Sequence, residues 1–225
     1  MWWIIALGLV ILVMLVVFYT RGRQRRQLKR WSSEPSLNDA IDRLNAVYAP
    51  FNPFEISKQA RERAKLYDNA FIYGEIHLLT FAAILTRVKP QPNEIFYDLG
   101  SGSGKAVLLT ALLYPKTTAI GIEYITEFIQ LSEHCRHHLG CHNAQFIHGD
   151  YFNIDFSHAD IVFINATALF GDDLVKLRQR LDCVKSGTRI ILTSKRLNPQ
   201  DFTVNYSGQV EMSWGPCSLT IYQKN

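Results

Sequence analysis

Several features that would place this chain outside the ordinary globular class are missing. Glycine and proline are few, at 13 and 8 in 225 residues, and the sequence contains no internal repeats. Charged residues make up only 20% of the chain. These values exclude a collagen-like or an intrinsically disordered protein. The length is sufficient for one globular domain with a substantial core.

Cysteine is also scarce, and its spacing matches no common metal site. The chain has no C-x-x-C pair among its four cysteines, which are Cys135, Cys141, Cys183 and Cys217. In a cytosolic domain such residues are expected to be free thiols. The Cys and His residues between Cys135 and His142 have C-x5-C spacing and reach across a predicted helix end at Gly140. We therefore predict no metal site there.

The long apolar run of the chain lies at its N-terminus. Eighteen of residues 1–20 are apolar, and residues 2–19 carry no charge. As a helix this run would reach roughly 27–30 Å, the thickness of the hydrocarbon core of a bilayer. Trp2, Trp3 and Tyr19 lie near its ends, which is typical of interfacial aromatic residues and fits a buried core helix less well. We expect residues 1–20 to form a single transmembrane helix.

The basic residues near this run predict its orientation. Six Lys or Arg residues lie in 21–30, after the apolar run, whereas a cleaved signal peptide would carry them before it. We therefore expect residues 21–35 to be a basic juxtamembrane linker and the following domain to face the cytoplasm. Outside 21–30 the chain holds 18 of its 24 basic residues against 20 acidic ones, a net charge of −2. A nucleic-acid partner is not expected for so acidic a domain.

Hydrophobic periodicity predicts helices first and then an alternation of strands and helices. Three helices are predicted within a helical N-terminal extension over residues 36–92. From residue 93 to 225, short apolar runs alternate with helical patterns. This alternation predicts an α/β fold with a doubly wound, mostly parallel sheet. Residues 209–222 are expected to form an edge hairpin that turns around Gly215-Pro216.

A glycine-rich loop follows the first predicted strand and opens a helix. Its sequence is Asp98-Leu99-Gly100-Ser101-Gly102-Ser103-Gly104. The loop is not a P-loop, because it is one residue too short before its Gly-Lys pair and has Ala106 where a P-loop has Ser or Thr. It is not a dinucleotide-binding loop either, because Lys105 stands at the position of the third glycine. The remaining pattern, an acidic residue followed by G-x-G-x-G, resembles motif I of the class I S-adenosylmethionine-dependent methyltransferases.

This resemblance implies a fold, a cofactor and a set of contacts. The fold would be the Rossmann-like seven-stranded sheet of class I methyltransferases, and the cofactor would be S-adenosyl-L-methionine. Glu123 would bind the ribose hydroxyls, and Asp150 with Tyr151 would hold the adenine. The loop residues that would contact the cofactor are Asp98, Gly100, Ser101, Gly102 and Gly104. The alternative is that the acids are turn formers, but three of them at strand ends favour a ligand site.

A second element narrows the resemblance. Tyr73-Gly74-Glu75 precedes a predicted helix, and together with the glycine loop it resembles the disruptor-of-telomeric-silencing family, the histone-lysine methyltransferases that lack a SET domain. The similarity extends over residues 73–222. It implies that Tyr73, Gly74 and Glu75 fold over the cofactor and that a protein lysine is the methyl acceptor. The alternative is that these residues only begin a helix, with Glu75 placed where the helix dipole favours an acidic side chain.

The sequence also departs from that family at the acceptor end. Asn165-Ala166-Thr167-Ala168 stands where the family has paired asparagines followed by aromatic residues, and Leu219 with Thr220 stands where it has tyrosines that line the lysine channel. A nucleosomal substrate is therefore not expected. Membrane-anchored class I lysine methyltransferases, such as the mitochondrial ATP-synthase c-subunit enzyme, share the N-terminal span and a similar glycine loop.

These observations predict a membrane-anchored methyltransferase that acts on a protein lysine. Asn165 is the predicted catalytic residue, because its side-chain carbonyl could orient the acceptor amine; a turn residue at a strand end is the alternative. Two other functions remain open. One is a small-molecule, lipid or quinone methyltransferase at the membrane surface, and the other is a non-catalytic protein that binds S-adenosylmethionine at the membrane. The sequence does not predict an oligomeric state.

Overall fold

The computed structural model describes residues 35–66, 71–198 and 200–225. The predicted transmembrane helix, residues 1–20, and the basic linker up to residue 34 lie outside these ranges. Of the helices that are described, none combines the length and the apolar character needed to cross a membrane.

Helices come first and then alternate with strands, as the periodicity predicts. The elements in chain order are α1 (Pro35–Tyr48), α2 (Pro53–Ala64), α3 (Leu78–Val88), β1 (Ile95–Leu99), α4 (Lys105–Leu113), β2 (Thr118–Glu123), α5 (Thr126–Leu139), β3 (Ala144–His148), β4 (Ile161–Asn165), α6 (Gly171–Asp182), β5 (Arg189–Thr193), β6 (Phe202–Met212) and β7 (Gly215–Lys224).

The strands form one seven-stranded sheet with the order β3-β2-β1-β4-β5-β7-β6. Strands β1 to β5 are parallel, whereas β7 lies antiparallel between β5 and β6. The predicted Rossmann-like, doubly wound sheet is therefore confirmed. The chain reverses its direction of winding between β1 and β4, and in open α/β sheets ligands bind in the crevice that this reversal leaves at the carboxyl ends of the strands.

The edge hairpin is confirmed, but its turn lies earlier than the sequence predicts. The turn consists of Ser213 and Trp214, because β7 already begins at Gly215, which pairs with Met212. Gly215 and Pro216 are therefore strand residues rather than turn residues. Pro216 lies next to the start of the strand, where the missing N–H costs little.

Apolar residues cover both faces of the sheet, as parallel strands require. On one face, Phe96 and Phe163 pack against Phe81 of α3 and against residues of α1, α4 and α5. On the other face, Tyr97 and Val162 belong to a second core that includes residues of α6. Alternate residues of β1 thus enter opposite cores. The same alternation places the side chain of Asp98 on the face of the sheet that carries Phe96.

The N-terminal helices are docked on the parallel sheet unit through specific contacts. Leu44 of α1 is fully buried, and the Tyr48 hydroxyl donates a hydrogen bond to the backbone carbonyl of Ser103 in the glycine loop. Arg43 donates to the carbonyl of Leu139 at the end of α5 (2.8 Å), and Arg63 of α2 forms an ion pair with Glu127 (2.7 Å). These helices therefore support the loop rather than form a separate unit.

Truncation of α1 at its buried centre tests this coupling. Leu44→Ala should lower the free energy of unfolding by about 2–5 kcal/mol, because it leaves a cavity under α1 in a close-packed core. Denaturant unfolding of the full-length protein should still show one transition. The matched control is Asn45→Ala, at an exposed position of the same helix, which should change the value by less than about 0.5 kcal/mol. A separate early transition for α1 would contradict the coupling.

Candidate active site

A cavity of about 690 Å³ lies at the carboxyl ends of the central strands, within the usual range for small-molecule sites. It is bounded by the loops after β1, β2, β3 and β4 and by the segment 71–76. The predicted site residues that line it are Tyr73, Gly74, Glu75, Asp98, Gly100, Ser101, Gly102, Glu123, Asp150, Tyr151 and Asn165. The fold thus brings all but one of them together, the exception being Gly104.

Gly104 is placed differently from the prediction. It does not line the cavity, and a Cβ at its position would lie 2.5 Å from the Ser132 hydroxyl and 2.8 Å from the Phe146 ring. Its φ angle of 81° is also in the left-handed region. The residue therefore permits close packing of the α4 N-terminus against α5 and β3.

Glu123 ties the glycine loop to the end of β2. One of its carboxylate oxygens accepts a hydrogen bond from the Gly102 N–H and the other from the Ile125 N–H, each at 2.8 Å. Burial raises the pKa of Glu123, while these backbone hydrogen bonds oppose that rise. The side chain is therefore oriented before any ligand binds.

Asp98 lies beside Glu123 at the end of the neighbouring strand. The side chain is buried, and burial together with the negative charge of Glu123 raises its pKa well above the ordinary value. Two adjacent carboxyl groups in a buried position favour a ligand that supplies hydroxyl donors or positive charge. An adenosyl sulfonium compound has both.

The segment that contains Tyr73 and Glu75 closes over the glycine loop. The Tyr73 hydroxyl donates to the Glu75 carboxylate and lies 2.7 Å from the Ser103 hydroxyl. Burial and the Glu75 charge raise the pKa of Tyr73, so this hydroxyl stays protonated as a donor. A Cβ at Gly102 would lie 2.5 Å from the Tyr73 ring, so glycine is required under the ring.

Lys105 completes this cluster, although sequence reasoning did not assign it to the site. Its ammonium lies 2.9 Å from both carboxylate oxygens of Glu75, and Lys105 and Glu75 both line the cavity. The ammonium also lies 5.0 Å from the centroid of the Tyr48 ring. The signal that could have identified it is its position as first residue of α4, directly after the glycine loop.

The edge hairpin holds the same segment from the other side. The Ser213 hydroxyl accepts from the Glu75 N–H (3.0 Å), and the Ser213 N–H donates to the Glu75 carbonyl (2.8 Å). The Trp214 ring packs so closely on Gly74 that a Cβ there would lie 2.0 Å from it. The glycine of the Tyr-Gly-Glu element is therefore explained by contact with the hairpin turn.

Asp150 and Tyr151 follow β3 at the far end of the cavity. The Asp150 carboxylate accepts from the Phe152 N–H (2.9 Å) and from the Asn153 side chain (3.2 Å), so it forms a turn as well as lining the cavity. The Tyr151 and Phe152 rings are 4.5 Å apart. Burial raises the pKa of Tyr151 and keeps its hydroxyl neutral. The region offers stacking surface and acceptors for a planar group.

Asn165 lies at the end of β4 in a network of hydroxyl groups. Its side-chain oxygen accepts from Thr193 (2.8 Å) and from Thr167 (2.9 Å), and the Thr167 hydroxyl lies 2.8 Å from that of Ser194. Both lone pairs of the carbonyl that was predicted to orient the amine are therefore engaged. The amide NH2 is the part of the side chain that remains to contact a ligand.

Metal ligation has no support in the described ranges, where no group of three or more His, Cys, Asp or Glu side chains could hold an ion. The four cysteines are free, with Cys135 and Cys141 buried.

Comparison with known proteins shows a family and several relatives. The family described as histone methylation protein DOT1 matches residues 61–213. The H3 lysine-79-specific histone-lysine N-methyltransferase of Caenorhabditis elegans is 26% identical over 75% of this chain, and that of Drosophila melanogaster is 28% identical over 72%. The aligned part covers only 19% and 8% of those two proteins.

A solved structure with the same fold is an RNA methyltransferase from Salinibacter ruber in complex with S-adenosyl-L-homocysteine. It aligns with a TM-score of 0.51 over 64% of this chain and 89% of that one, at 19% identity. The likeness establishes the class I methyltransferase fold.

The raised pKa of Asp98 predicts opposite effects of one substitution on stability and on binding. Because the folded protein binds this proton more tightly than the unfolded chain, stability is lost as the pH rises through the folded pKa. Asp98→Asn should therefore stabilise the ligand-free protein by about 1 kcal/mol at pH 8, and by less at acidic pH where Asp98 is already protonated. It should also weaken binding of S-adenosylmethionine at least about 100-fold.

Thermal unfolding and titration calorimetry of the full-length protein measure the two effects. Asp42→Asn, at an exposed position on α1, is the matched control and should leave both values unchanged. A destabilised Asp98→Asn protein that still binds the cofactor normally would contradict the assignment.

Proposed function

This chain belongs to the DOT1 family of histone methylation proteins, and from that premise we propose that it is an S-adenosylmethionine-dependent methyltransferase whose acceptor is a protein lysine. The observation that carries the proposal is the pair of buried carboxyl groups, Asp98 and Glu123, beside a glycine loop at the switch point of the sheet. The chain spans about a fifth or less of the length of the DOT1-type relatives described above, so the activity is assigned from this site and its family.

The residues of the cavity fit the cofactor. The Ser101 hydroxyl is buried and has no hydrogen-bond partner among the described residues, so a ligand that supplied one would remove an unfavourable state. Asp98, Glu123 and the glycine loop would hold the ribose and the methionine portion, Tyr73 and Glu75 would cover the latter, and Asp150 with Tyr151 would hold the adenine. When bound, the cofactor supplies an electrophilic methyl group on a sulfonium.

The protein must align the acceptor nitrogen with that methyl group and exclude water. Asn165 lies at the carboxyl end of β4 and lines the cavity, and its amide NH2 can donate to the acceptor segment. The acceptor lysine has to lose its proton before it attacks, and burial in a cavity with aromatic walls lowers the pKa of a lysine.

The family includes proteins named for lysine 79 of histone H3, whereas the acceptor end of this chain differs from the family pattern described above. Leu219 and Thr220 are buried strand residues of β7 rather than channel tyrosines. We therefore propose a lysine on a protein other than the nucleosome as the acceptor. We propose further that residues 1–20 anchor the chain in a membrane with the catalytic domain on the cytoplasmic side; their composition supports this.

A second candidate is a lipid or quinone acceptor at the membrane surface. The observation that favours it is the exposure of Ile72, Phe170 and Trp214 at the mouth of the cavity. A non-catalytic protein that binds the cofactor is the remaining alternative.

The test incubates the full-length protein with methyl-labelled S-adenosylmethionine and, separately, with histone H3, assembled nucleosomes, cytosol and membranes. We expect label in methyl-lysine of a cytosolic or membrane protein, identified by mass spectrometry. Label only in the lipid extract would favour the second candidate, and cofactor binding without any transfer would favour the non-catalytic one. Absence of cofactor binding would contradict the proposed function altogether.

Asn165→Ala should separate binding from transfer. If the amide orients the acceptor, the substitution should lower kcat about 100-fold, as the loss of one positioned donor does in other enzymes, with little change in cofactor affinity. Asn205→Ala, on the exposed strand β6, is the control and should transfer at the normal rate. An unchanged kcat in Asn165→Ala would leave Asn165 as a structural residue at the end of its strand.

A further inference from the structure

The mouth of the cavity is surrounded by exposed apolar side chains. Ile72, Tyr124, Phe170 and Trp214 are 55%, 49%, 64% and 43% exposed, and all four line the cavity. They come from four separate segments: the cover segment 71–76, the loop after β2, the residue before α6 and the hairpin turn. We call these four residues the apolar collar. Single exposed apolar residues are ordinary, but several around one opening indicate a binding surface.

Acidic side chains outnumber basic ones inside the collar. Asp98, Glu123, Asp150 and Asp173 line the cavity together with Glu75. Of the lysines that line it, Lys105 is paired with Glu75 (2.9 Å) and Lys176 with Asp173 (3.4 Å). A ligand that brings a cation through an apolar opening therefore matches both the charge and the surface of this site.

Phe170 of the collar already binds an ammonium group of the chain itself. The Lys195 ammonium lies 3.7 Å from the centroid of the Phe170 ring, a distance typical of a favourable cation–π contact. The loop that carries Lys195 is fixed there, because Ser194 contacts Thr167 in the loop after β4. Lys195 forms no ion pair with any residue in the described ranges. Its ammonium shows how a lysine can approach this ring.

We propose that the apolar collar binds a polypeptide segment in which the acceptor lysine is flanked by bulky apolar side chains, with Phe170 contacting the lysine as it enters. The proposal rests on the proposed function and specifies its substrate class. Flanking apolar side chains would be removed from water against Ile72, Tyr124 and Trp214, which is favourable. Flanking charged side chains would lose hydration there without gaining partners. In the free protein the Lys195 ammonium lies over the Phe170 ring, and the bound segment would displace it.

The experiment uses two synthetic 11-residue peptides of equal net charge with one central lysine. In one, the two residues on each side are Leu, Phe, Val and Leu; in the other they are Ser, Gly, Thr and Gln. Binding is measured by fluorescence anisotropy to the full-length protein saturated with S-adenosylhomocysteine, and transfer is measured with labelled S-adenosylmethionine. We expect the apolar peptide to bind at least about tenfold more tightly and to be methylated with a correspondingly lower KM.

Three variants connect the preference to the collar. Phe170→Ser should remove most of the preference by raising KM, and it should fold normally, since serine is favoured at the N-cap position that Phe170 occupies. Phe170→Tyr keeps the aromatic ring and should retain the preference. Val204→Ser, at a 51% exposed apolar position on β6 that does not line the cavity, should behave as the unsubstituted protein.

The outcomes separate this inference from the proposed function. Equal binding of the two peptides, no binding of either, or the same loss in Val204→Ser as in Phe170→Ser would overturn the inference while cofactor binding remains intact. Transfer of label to lipid vesicles but to neither peptide would also overturn it. If the cofactor itself does not bind, the proposed function fails first.

Discussion

The structure depends on the way in which two carboxyl groups are held at adjacent strand ends. Asp98 and Glu123 are both buried, and the negative charge of Glu123 raises the electrostatic cost of ionising Asp98. The Gly102 and Ile125 N–H groups partly stabilise the ionised form of Glu123, whereas no backbone N–H of the described residues does so for Asp98. An arrangement that is unfavourable in the free protein is favourable for a ligand with hydroxyl groups and positive charge. The electrostatic cost of this buried pair would be offset by a bound ligand of that kind.

Three distant parts of the chain keep that pair enclosed. Tyr48 of α1 donates to the glycine-loop carbonyl of Ser103, Tyr73 covers Gly102, and Ser213 of the edge hairpin is hydrogen-bonded to both backbone groups of Glu75. The ion pair between Glu75 and Lys105 links the cover segment to the first turn of α4. The helices before the sheet and the hairpin after it thus act on one loop, which explains why the cavity is formed by segments that are widely separated in sequence.

The sequence predicts what depends on local pattern, and it misses what depends on distant contacts. The order of helices and strands and the acids at strand ends follow from periodicity and motif spacing. The edge hairpin, predicted over residues 209–222, is longer than expected, because β6 begins at Phe202 and β7 ends at Lys224. Lys105 and Tyr48 could not be assigned, because their partners Glu75 and Ser103 are 30 and 55 residues away along the chain. The predicted turn at Gly215-Pro216 was wrong, because the register with β6 decides where β7 begins. Gly104 does not line the cavity, and its lack of a side chain is explained by the packing of Ser132 and Phe146.

The two ends of the cavity are built in different ways, and this has a consequence for specificity. The proposed cofactor end is fixed by main-chain geometry and by buried carboxyl groups, so most substitutions there are expected to disturb the fold as well as binding. The proposed acceptor end consists of exposed side chains on loops, such as Phe170 and Trp214. Replacing an exposed loop side chain costs little stability. The acceptor can therefore differ between proteins that share such a site, and membership of the family does not by itself determine the acceptor.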